Sequence, residues 1–310
     1  MMKLKKTQNN ELKEDIYNPA FLTKTRLFFV GFFLLIIGFL VNFSLESKLN
    51  TFLQQTLSSN ASCPIIYEKL ELKYFFPQVS LKKPTVLGAC FGNIASKLEL
   101  DELKISLNSP SFYPLGLRLH IFAFKGSSRI NLYPVISPFS QSVKIEKTLI
   151  DGQLLANIMP SGSSPALGVF SIDGFFEVKS QNVTDGAIEI ASNNFVLPAQ
   201  NLSGFDIGRQ EIKRFNFSGK VTDTNKLNIE NLQLGGATSP LDLKLTGSLT
   251  LNMRNIGNSL LKLDGNIAFS AAALSEFAFL KLFLPASNTS GNYKLKLSGP
   301  LMNPGAPIIQ

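Results

Sequence analysis

The chain has 310 residues with a formal net charge of +8, and 45% of its residues are hydrophobic against 17% that are charged. This composition provides enough apolar side chains for a large core. The positive charge is dispersed, and six of the 30 lysines and arginines precede residue 27, so a continuous phosphate-binding track, and with it a nucleic-acid partner, is not expected.

Residues 1–26 are polar and mixed in charge, which is typical of a disordered tail. The next 19 residues, 27–45, contain no charged residue, and fifteen of them are Leu, Ile, Val or Phe. At about 1.5 Å per residue they would form a helix of about 28 Å, close to the hydrocarbon thickness of a bilayer. We therefore predict a transmembrane anchor that includes Leu27, Phe33, Ile36 and Leu45. A buried core helix is the alternative.

The charges that flank this span predict its orientation. Six lysines and arginines precede it, whereas residues 46–65 contain only Lys48. Because Lys and Arg near a span are retained in the cytoplasm, the N-terminus is predicted to be cytoplasmic and the C-terminal part exported. A cleaved signal peptide is the alternative, but the apolar run exceeds the usual length of about 7 to 15 residues and no A-x-A-like site follows.

Cys63 and Cys90 are the two cysteines of the chain, and both follow the predicted span. An oxidising compartment would allow them to form a disulfide. On the chain-entropy model such a bridge would stabilise the fold by about 3 to 4 kcal/mol. The sequence leaves open whether the two thiols pair.

The spacing of apolar residues changes after the span. Within 46–64 the spacing is helical and predicts a juxtamembrane helix. From Ile65 onward apolar and polar residues alternate, which predicts a β-rich domain over 65–310. The clearest alternating runs are 70–73, 98–100, 103–107, 117–121, 129–132, 170–172, 188–190, 215–217, 227–229, 241–245, 249–251 and 261–263.

Four Asp-Gly pairs, at 151–152, 173–174, 185–186 and 264–265, predict tight hairpin turns and hence short antiparallel connections. So many one-sided strands require either a second sheet or a sheet that curves its apolar face inward. Glycines within the strands favour curvature. The predicted fold is mainly β: one N-terminal transmembrane helix, then an elongated, curved antiparallel sheet with one buried C-terminal helix.

That helix is predicted over 271–284, with Ser270 as its N-cap and Pro285 after its end. It is apolar on nearly all sides and is expected to be largely covered. We predict that Phe277, Leu280 and Leu284 fill the concave side of the sheet. Contact with lipid or with a partner is the alternative.

Catalytic motifs are scarce. His120 is the single histidine, which excludes histidine-rich metal sites, and no nucleophile elbow, P-loop or dinucleotide-binding turn is present. His120 alternates within a strand pattern and is predicted to be an ordinary surface residue. Asp101 and Glu102 are predicted to be a solvated pair without an acid and base partner. We therefore expect no enzymatic activity, no cofactor and no metal.

The order of features resembles type II secretion system protein N, a bacterial inner-membrane family with one anchor and an exported β-rich domain. The stretches that carry the resemblance are the anchor and residues 70–77, 79–81, 98–105, 245–252 and 291–304. It implies a non-catalytic inner-membrane component with a periplasmic domain that assists protein export beside other secretion-system subunits.

The ending Leu-x-Gly-x-Leu-x-x-Pro is similar to repeats in AsmA-like envelope proteins, which are linked to envelope assembly and lipid traffic. This second resemblance implies that the apolar groove shelters or transfers lipid. The two hypotheses differ physically, because a scaffold fills its groove with its own side chains and a conduit leaves it open.

Overall fold

The structure is a computed structural model. It describes residues 24–42, 45–60, 63–73, 77–91, 97–112, 115–138, 140–156, 166–202, 205–236, 238–253, 256–276, 284, 291–301 and 304–310. The chain divides into two units, Met1–Leu53 and Gln54–Gln310.

The first unit contains helix α1, Lys24–Asn42, and most of helix α2, Leu45–Ser58. In α1 the described apolar side chains, among them Leu27, Phe33 and Ile36, are exposed. The hydroxyl groups of Ser58 and Ser59 donate to carbonyls one turn earlier, which competes with the helical ladder where α2 ends. No helix among the described residues has both the length and the apolar composition of a membrane span.

The second unit is mainly β. Its strands are β1 Ile65–Ile66, β2 Lys69–Lys73, β3 Gln78–Lys82, β4 Thr85–Leu87, β5 Lys97–Glu99, β6 Glu102–Phe112, β7 Leu115–Lys125, β8 Ser128–Ile136, β9 Gln141–Asp151, β10 Val169–Lys179, β11 Asn182–Leu197, β12 Gln200–Leu202, β13 Phe205–Ile207, β14 Gln210–Asp223, β15 Lys226–Gly235, β16 Leu241–Thr250, β17 Leu260–Phe269, β18 Asn292–Pro300 and β19 Ile308–Ile309. The short helices are α3 Gly152–Ala156, α4 Ala271–Glu276 and the 3-10 helices Gly88–Phe91 and Ile256–Asn258.

Fourteen strands form one long, curved antiparallel sheet in the order β19-β18-β17-β16-β15-β14-β11-β10-β9-β8-β7-β6-β3-β2. Two small sheets, β1-β4-β5 and β12-β13, account for the other described strands. The prediction of a curved antiparallel sheet is therefore confirmed. A second large sheet is absent from the described residues.

The prediction of hairpin turns at the four Asp-Gly pairs is wrong. Three of the pairs lie inside strands β10, β11 and β17, and the fourth lies where β9 ends and α3 begins. None of the four glycines has a positive φ. The turn between β10 and β11 is made instead by Ser180 and Gln181, whose φ values of 49° and 65° fit a two-residue hairpin turn.

The Asp173-Gly174 pair shows why these residues belong in strands. Lys147, in the facing strand β9, has a φ of 49°, and the pairing register shifts beside it. Oδ1 of Asp173 accepts the N–H of Lys147 at 2.8 Å, which satisfies a donor freed by the bulge. A Cβ on Gly174 would lie only 2.6 Å from the carbonyl oxygen of Ala187. The aspartate thus provides the hydrogen-bond acceptor that the bulge needs, and the glycine, which has no Cβ, lets the neighbouring strand approach closely.

The C-terminal helix begins as predicted. Oγ of Ser270 accepts the N–H of Ala273 at 3.1 Å, which confirms the N-cap. Helix α4 is described from Ala271 to Glu276, and its first turn is exposed on one side because Ala271 and Ala272 face solvent while Ala273 is buried. The first turn of the helix is therefore partly covered. The prediction that the helix over 271–284 is largely covered stays a prediction, because residues 277–283 lie outside the described residues.

Candidate functional site

One continuous row of side chains crosses the large sheet from strand to strand. Directly paired residues lie on the same face of a sheet. The members of the row, from β2 to β18, are Leu72, Val79, Ile105, Ile121, Leu132, Ile145, Gly174, Ile188, Gly219, Ile229, Gly247, Leu263 and Leu297. We call the face that carries this row the apolar face. Its twelve strand-to-strand steps of about 4.8 Å give an apolar track about 58 Å long, measured along the sheet.

Glycine and aliphatic residues alternate over part of the row. Gly174, Gly219 and Gly247 each lie between an aliphatic residue of the strand before and one of the strand after. At Gly247, where φ is 155°, a Cβ would lie 2.0 Å from the carbonyl oxygen of Lys262. These glycines let neighbouring strands approach closely.

The C-terminal part of the apolar face is filled by its own side chains. Ile229, Leu245, Leu261, Leu263 and Leu295 are buried and form one cluster. Each is a strand residue whose neighbours along the chain alternate between polar and apolar, so the pattern in the sequence places it on the inward side. This part of the face is a conventional core.

The part of the apolar face on β6 to β8 is open. Row residues such as Ile121 and Leu132 are only half-buried. On the same face, Leu107 is 43% exposed, and the paired residues Leu117 and Ile136 are 54% and 55% exposed. The row therefore runs from a closed core into an accessible apolar surface, which the sequence pattern alone did not distinguish because both parts alternate equally well.

The opposite face of the sheet carries His120 among polar and aromatic side chains, such as Asn131 and Phe122. The ring of His120 stacks on that of Tyr133 in the neighbouring strand, with the centroids 4.6 Å apart and the planes within 5°. Its Nε2 lies 3.4 Å from Oδ1 of Asn131. These contacts are those of a packed surface histidine. The hydroxyl of Ser106, its direct partner in β6, donates to the backbone carbonyl of His120 at 3.5 Å and not to the imidazole ring.

Glu102 differs from its sequence-based interpretation. Its side chain is only 16% exposed, and it forms ion pairs with Lys82 and with Lys104, the latter at 2.6 Å. Burial alone would raise its pKa, but hydrogen bonds from Lys104, Lys82 and Ser80 outweigh burial and lower the pKa of Glu102 to about 2. The prediction that Asp101 and Glu102 form a solvated pair is thus wrong for Glu102, because β3 brings Lys82 across the sheet to it.

The two cysteines meet at the start of the β domain. Cys63 and Cys90 are joined in a disulfide with a Cα–Cα distance of 4.3 Å. The bridge ties the residues before β1 to the 3-10 helix after β4, and β1 pairs with β4. It therefore adds a covalent link to the pairing of β1 with β4 in the small sheet β1-β4-β5.

Beside this small sheet lies an open cavity of about 350 Å³. It is lined by Tyr67, Glu68, Lys83, Glu99, Asp101 and Lys125, over the apolar side chains of Ile66 and Leu100. We call it the charged cavity. Sequence reasoning missed it because its residues come from four separate segments that only the pairing of the strands brings together.

The predicted anchor and groove-filling residues lie only partly within the described residues. Leu27, Phe33 and Ile36 lie in α1, and Leu45 is the first residue of α2. Leu284 is half-buried, whereas Phe277 and Leu280 lie outside the described residues. Whether the three fill the groove therefore stays a prediction.

Within the described ranges, no group of three or more His, Cys, Asp and Glu residues could hold a metal ion. No protein-family model matches the chain, and no curated protein or solved structure is detectably similar to it.

Proposed function

We propose that the protein is a membrane-anchored, non-catalytic envelope protein whose apolar face binds the acyl chains of lipids. The observation that carries this proposal is the accessible surface on β6 to β8, where Leu107, Leu117 and Ile136 continue the apolar face of the sheet. Contiguous apolar surface is unfavourable in water and typical of a surface that meets a ligand, a partner or a membrane.

The chemistry of the row favours acyl chains as the ligand. All of its members are aliphatic residues or glycines, so the row offers no side-chain donor or acceptor to a polar ligand. An acyl chain reaches across about half of a bilayer core of about 30 Å. The open part of the face lies on β6 to β8, and β6 and β7, with 11 residues each, extend about 36 Å, which is longer than one such chain.

Two features support a location outside the cytoplasm. Six cations precede residues 27–45 and one follows within twenty residues, which favours an anchor with a cytoplasmic N-terminus. Disulfides such as Cys63–Cys90 persist in oxidising compartments. In a bacterium these features correspond to a single-pass inner-membrane protein with its β domain in the periplasm.

A second candidate function is an accessory scaffold of the type II secretion system. The filled part of the apolar face favours it, because Ile229 and Leu245 are each only 3% exposed and leave no room there for a ligand. In that case the open surface on β6 to β8 would contact another subunit of the secretion machinery.

Site-specific photo-crosslinking distinguishes the two functions. A photoreactive phenylalanine analogue replaces Leu117 in the full chain in its native membrane. The matched control is Leu260, which is 53% exposed but lies on the polar face of β17. We expect phospholipid adducts at position 117 and none above background at position 260. The comparison also separates lipid on the sheet from lipid around the anchor.

Two results would overturn lipid binding by the apolar face. One is equal lipid labelling at positions 117 and 260, and the other is the absence of a lipid adduct at position 117. Adducts at position 117 with a defined protein, in place of lipid, would favour the scaffold.

A further inference from the structure

The charged cavity has walls that are held in place by backbone hydrogen bonds. Lys83 donates its N–H to the carbonyl of Asp101 at 3.0 Å, and Leu100 donates to Pro84 at 2.9 Å. The N–H of Asp101 in turn donates to the carbonyl of Phe124 at 2.8 Å. These bonds join the small sheet to the ends of β3 and β7. The shape of the cavity is therefore determined by the backbone hydrogen bonding of the fold.

The charged groups of the cavity are of both signs. Lys83 is paired with Glu68 at 3.1 Å, and Lys125 is paired with Asp101 at 3.5 Å. Glu99 contributes a third carboxylate, which pairs with Lys97 at 2.6 Å. All of these side chains are at least two-fifths exposed, so a ligand can reach them and exchange partners with them.

One carboxylate of the cavity is fixed on two sides. Oδ2 of Asp101 accepts the N–H of Gly126 at 3.0 Å, and its Oδ1 faces Lys125. Asp101 therefore holds Lys125 at the rim. Glu68 and Glu99 have no such backbone restraint among the described residues and can turn toward a cation.

We propose that the charged cavity binds a phosphoethanolamine head group, with its phosphate between Lys83 and Lys125 and its primary ammonium at Glu68 and Glu99. The mixed charges argue for a zwitterion, since the described lining has three carboxylates against two lysines and would repel a purely anionic head group. A quaternary ammonium is disfavoured because such groups are held by aromatic cages, and Tyr67 is the single aromatic side chain among the described residues of the lining.

The size and position of the cavity fit a head group whose chains lie on the apolar face, and in this respect the inference rests on the proposed function. About 350 Å³ is near the lower end of the range for ligand pockets, roughly 300 to 1,000 Å³. Lys125 lies on the same face of β7 as Ala123 and Ile121, because alternate residues of a strand share a face. Ile121 of the row is about 13 Å from Lys125 along the strand, within reach of a chain attached to the bound head group.

The head-group site is tested with water-soluble analogues. The full chain, purified in detergent micelles, is titrated calorimetrically with glycerophosphoethanolamine, glycerophosphocholine and glycerophosphoglycerol. We expect the ethanolamine compound to bind at least about tenfold more tightly than the other two, since each of these lacks the charge-assisted ammonium hydrogen bonds. Equal affinity for all three, or no binding of the ethanolamine compound, would overturn the inference.

A pair of matched variants locates the binding. Glu99→Gln removes one carboxylate of the cavity, and we expect it to weaken binding of glycerophosphoethanolamine about tenfold. Glu146→Gln is the control, because Glu146 is similarly exposed and also paired with a lysine, Lys144 at 3.5 Å, but lies outside the cavity. An equal loss in both variants, or in neither, would contradict this site.

The lipid adducts formed at position 117 separate this inference from the proposed function. In Glu99→Gln we expect an unchanged yield of lipid adducts and the loss of an enrichment in phosphatidylethanolamine. An unchanged enrichment would overturn the head-group site while lipid binding stands. Binding of the soluble ethanolamine compound without any lipid adduct would overturn the proposed function and leave the cavity as a site for soluble phosphoethanolamine compounds.

Discussion

Nζ of Lys104 lies 2.6 Å from Oε2 of Glu102, two positions along the same face of β6. With Lys82 and Ser80 from β3, it lowers the pKa of Glu102 from 4.5 to about 2. A carboxyl group with a lowered folded-state pKa stabilises the fold above its unfolded pKa, and that stabilisation is lost as the pH falls toward the folded pKa. We therefore expect up to about 3 kcal/mol of stability to disappear between about pH 4.5 and pH 2, measured by circular dichroism during thermal unfolding of the full chain in detergent.

Glu102→Gln should flatten this part of the stability profile, because the amide does not titrate. Glu146→Gln, at an exposed pair on the same sheet, should leave it unchanged. A profile that is equally steep in wild type and Glu102→Gln would show that other carboxylates are responsible.

Gly247→Ala should destabilise the sheet by about 2 kcal/mol or more, since alanine is strained at a φ of 155° and its Cβ would meet the carbonyl oxygen of Lys262 at 2.0 Å. Gly236→Ala is the matched control, because Gly236 has open space around a Cβ and no positive φ. Its effect should be within about 0.5 kcal/mol. Thermal unfolding measures the change in stability of the two variants, and equal stability would contradict a tight approach of the strands at Gly247.

The disulfide Cys63–Cys90 should protect both thiols from alkylation in intact envelopes until a reductant is added. Replacing both cysteines with serine should lower the free energy of unfolding by about 3 to 4 kcal/mol on the chain-entropy model. Free labelling of both thiols without reductant would contradict the bridge and weaken the argument for an oxidising compartment.

The sequence predicts the class of the fold well and its pairing details poorly. Period-two alternation at runs such as 241–245 is local, so it identifies strands and their inward face without knowledge of their neighbours. The function of Asp173-Gly174 depends on Lys147 of another strand, and the ion pairs of Glu102 depend on β3. Such relations follow from register, which no local pattern specifies.

The candidate site illustrates the same limit. The alternation around Ile121 and that around Ile229 are indistinguishable in the sequence, yet one residue is half-buried and the other is 3% exposed. Likewise, Glu68, Lys83, Glu99 and Lys125 are ordinary surface charges until the strands bring them to one cavity. Burial and convergence are properties of the assembled sheet.

The topology prediction rests on the six-to-one excess of cations before the predicted span, residues 27–45. A reporter that is active only in the periplasm should be active when fused after Gln310 and inactive when fused before Met1. The reverse result would show that the orientation, and with it the proposed location of the sheet, is wrong. A cytoplasmic reporter fused at the same two positions provides the control, because its activity should be opposite.

Ile229→Ala and Ile121→Ala compare the same substitution at two members of one row. Ile229 is buried in the filled part of the apolar face, so its truncation should leave a cavity and cost about 2 to 5 kcal/mol. Ile121 is half-buried in the open part, where solvent or lipid can occupy the vacated space, so its truncation should cost only about 1 kcal/mol. Thermal unfolding measures these two costs.

The two variants should also differ in the yield of lipid adducts at position 117. Ile121→Ala should lower that yield in stably folded protein, whereas Ile229→Ala should lower it only in proportion to the loss of folded protein. Equal destabilisation by both variants, with no specific loss of adducts in Ile121→Ala, would mean that the face is filled throughout and would favour the scaffold.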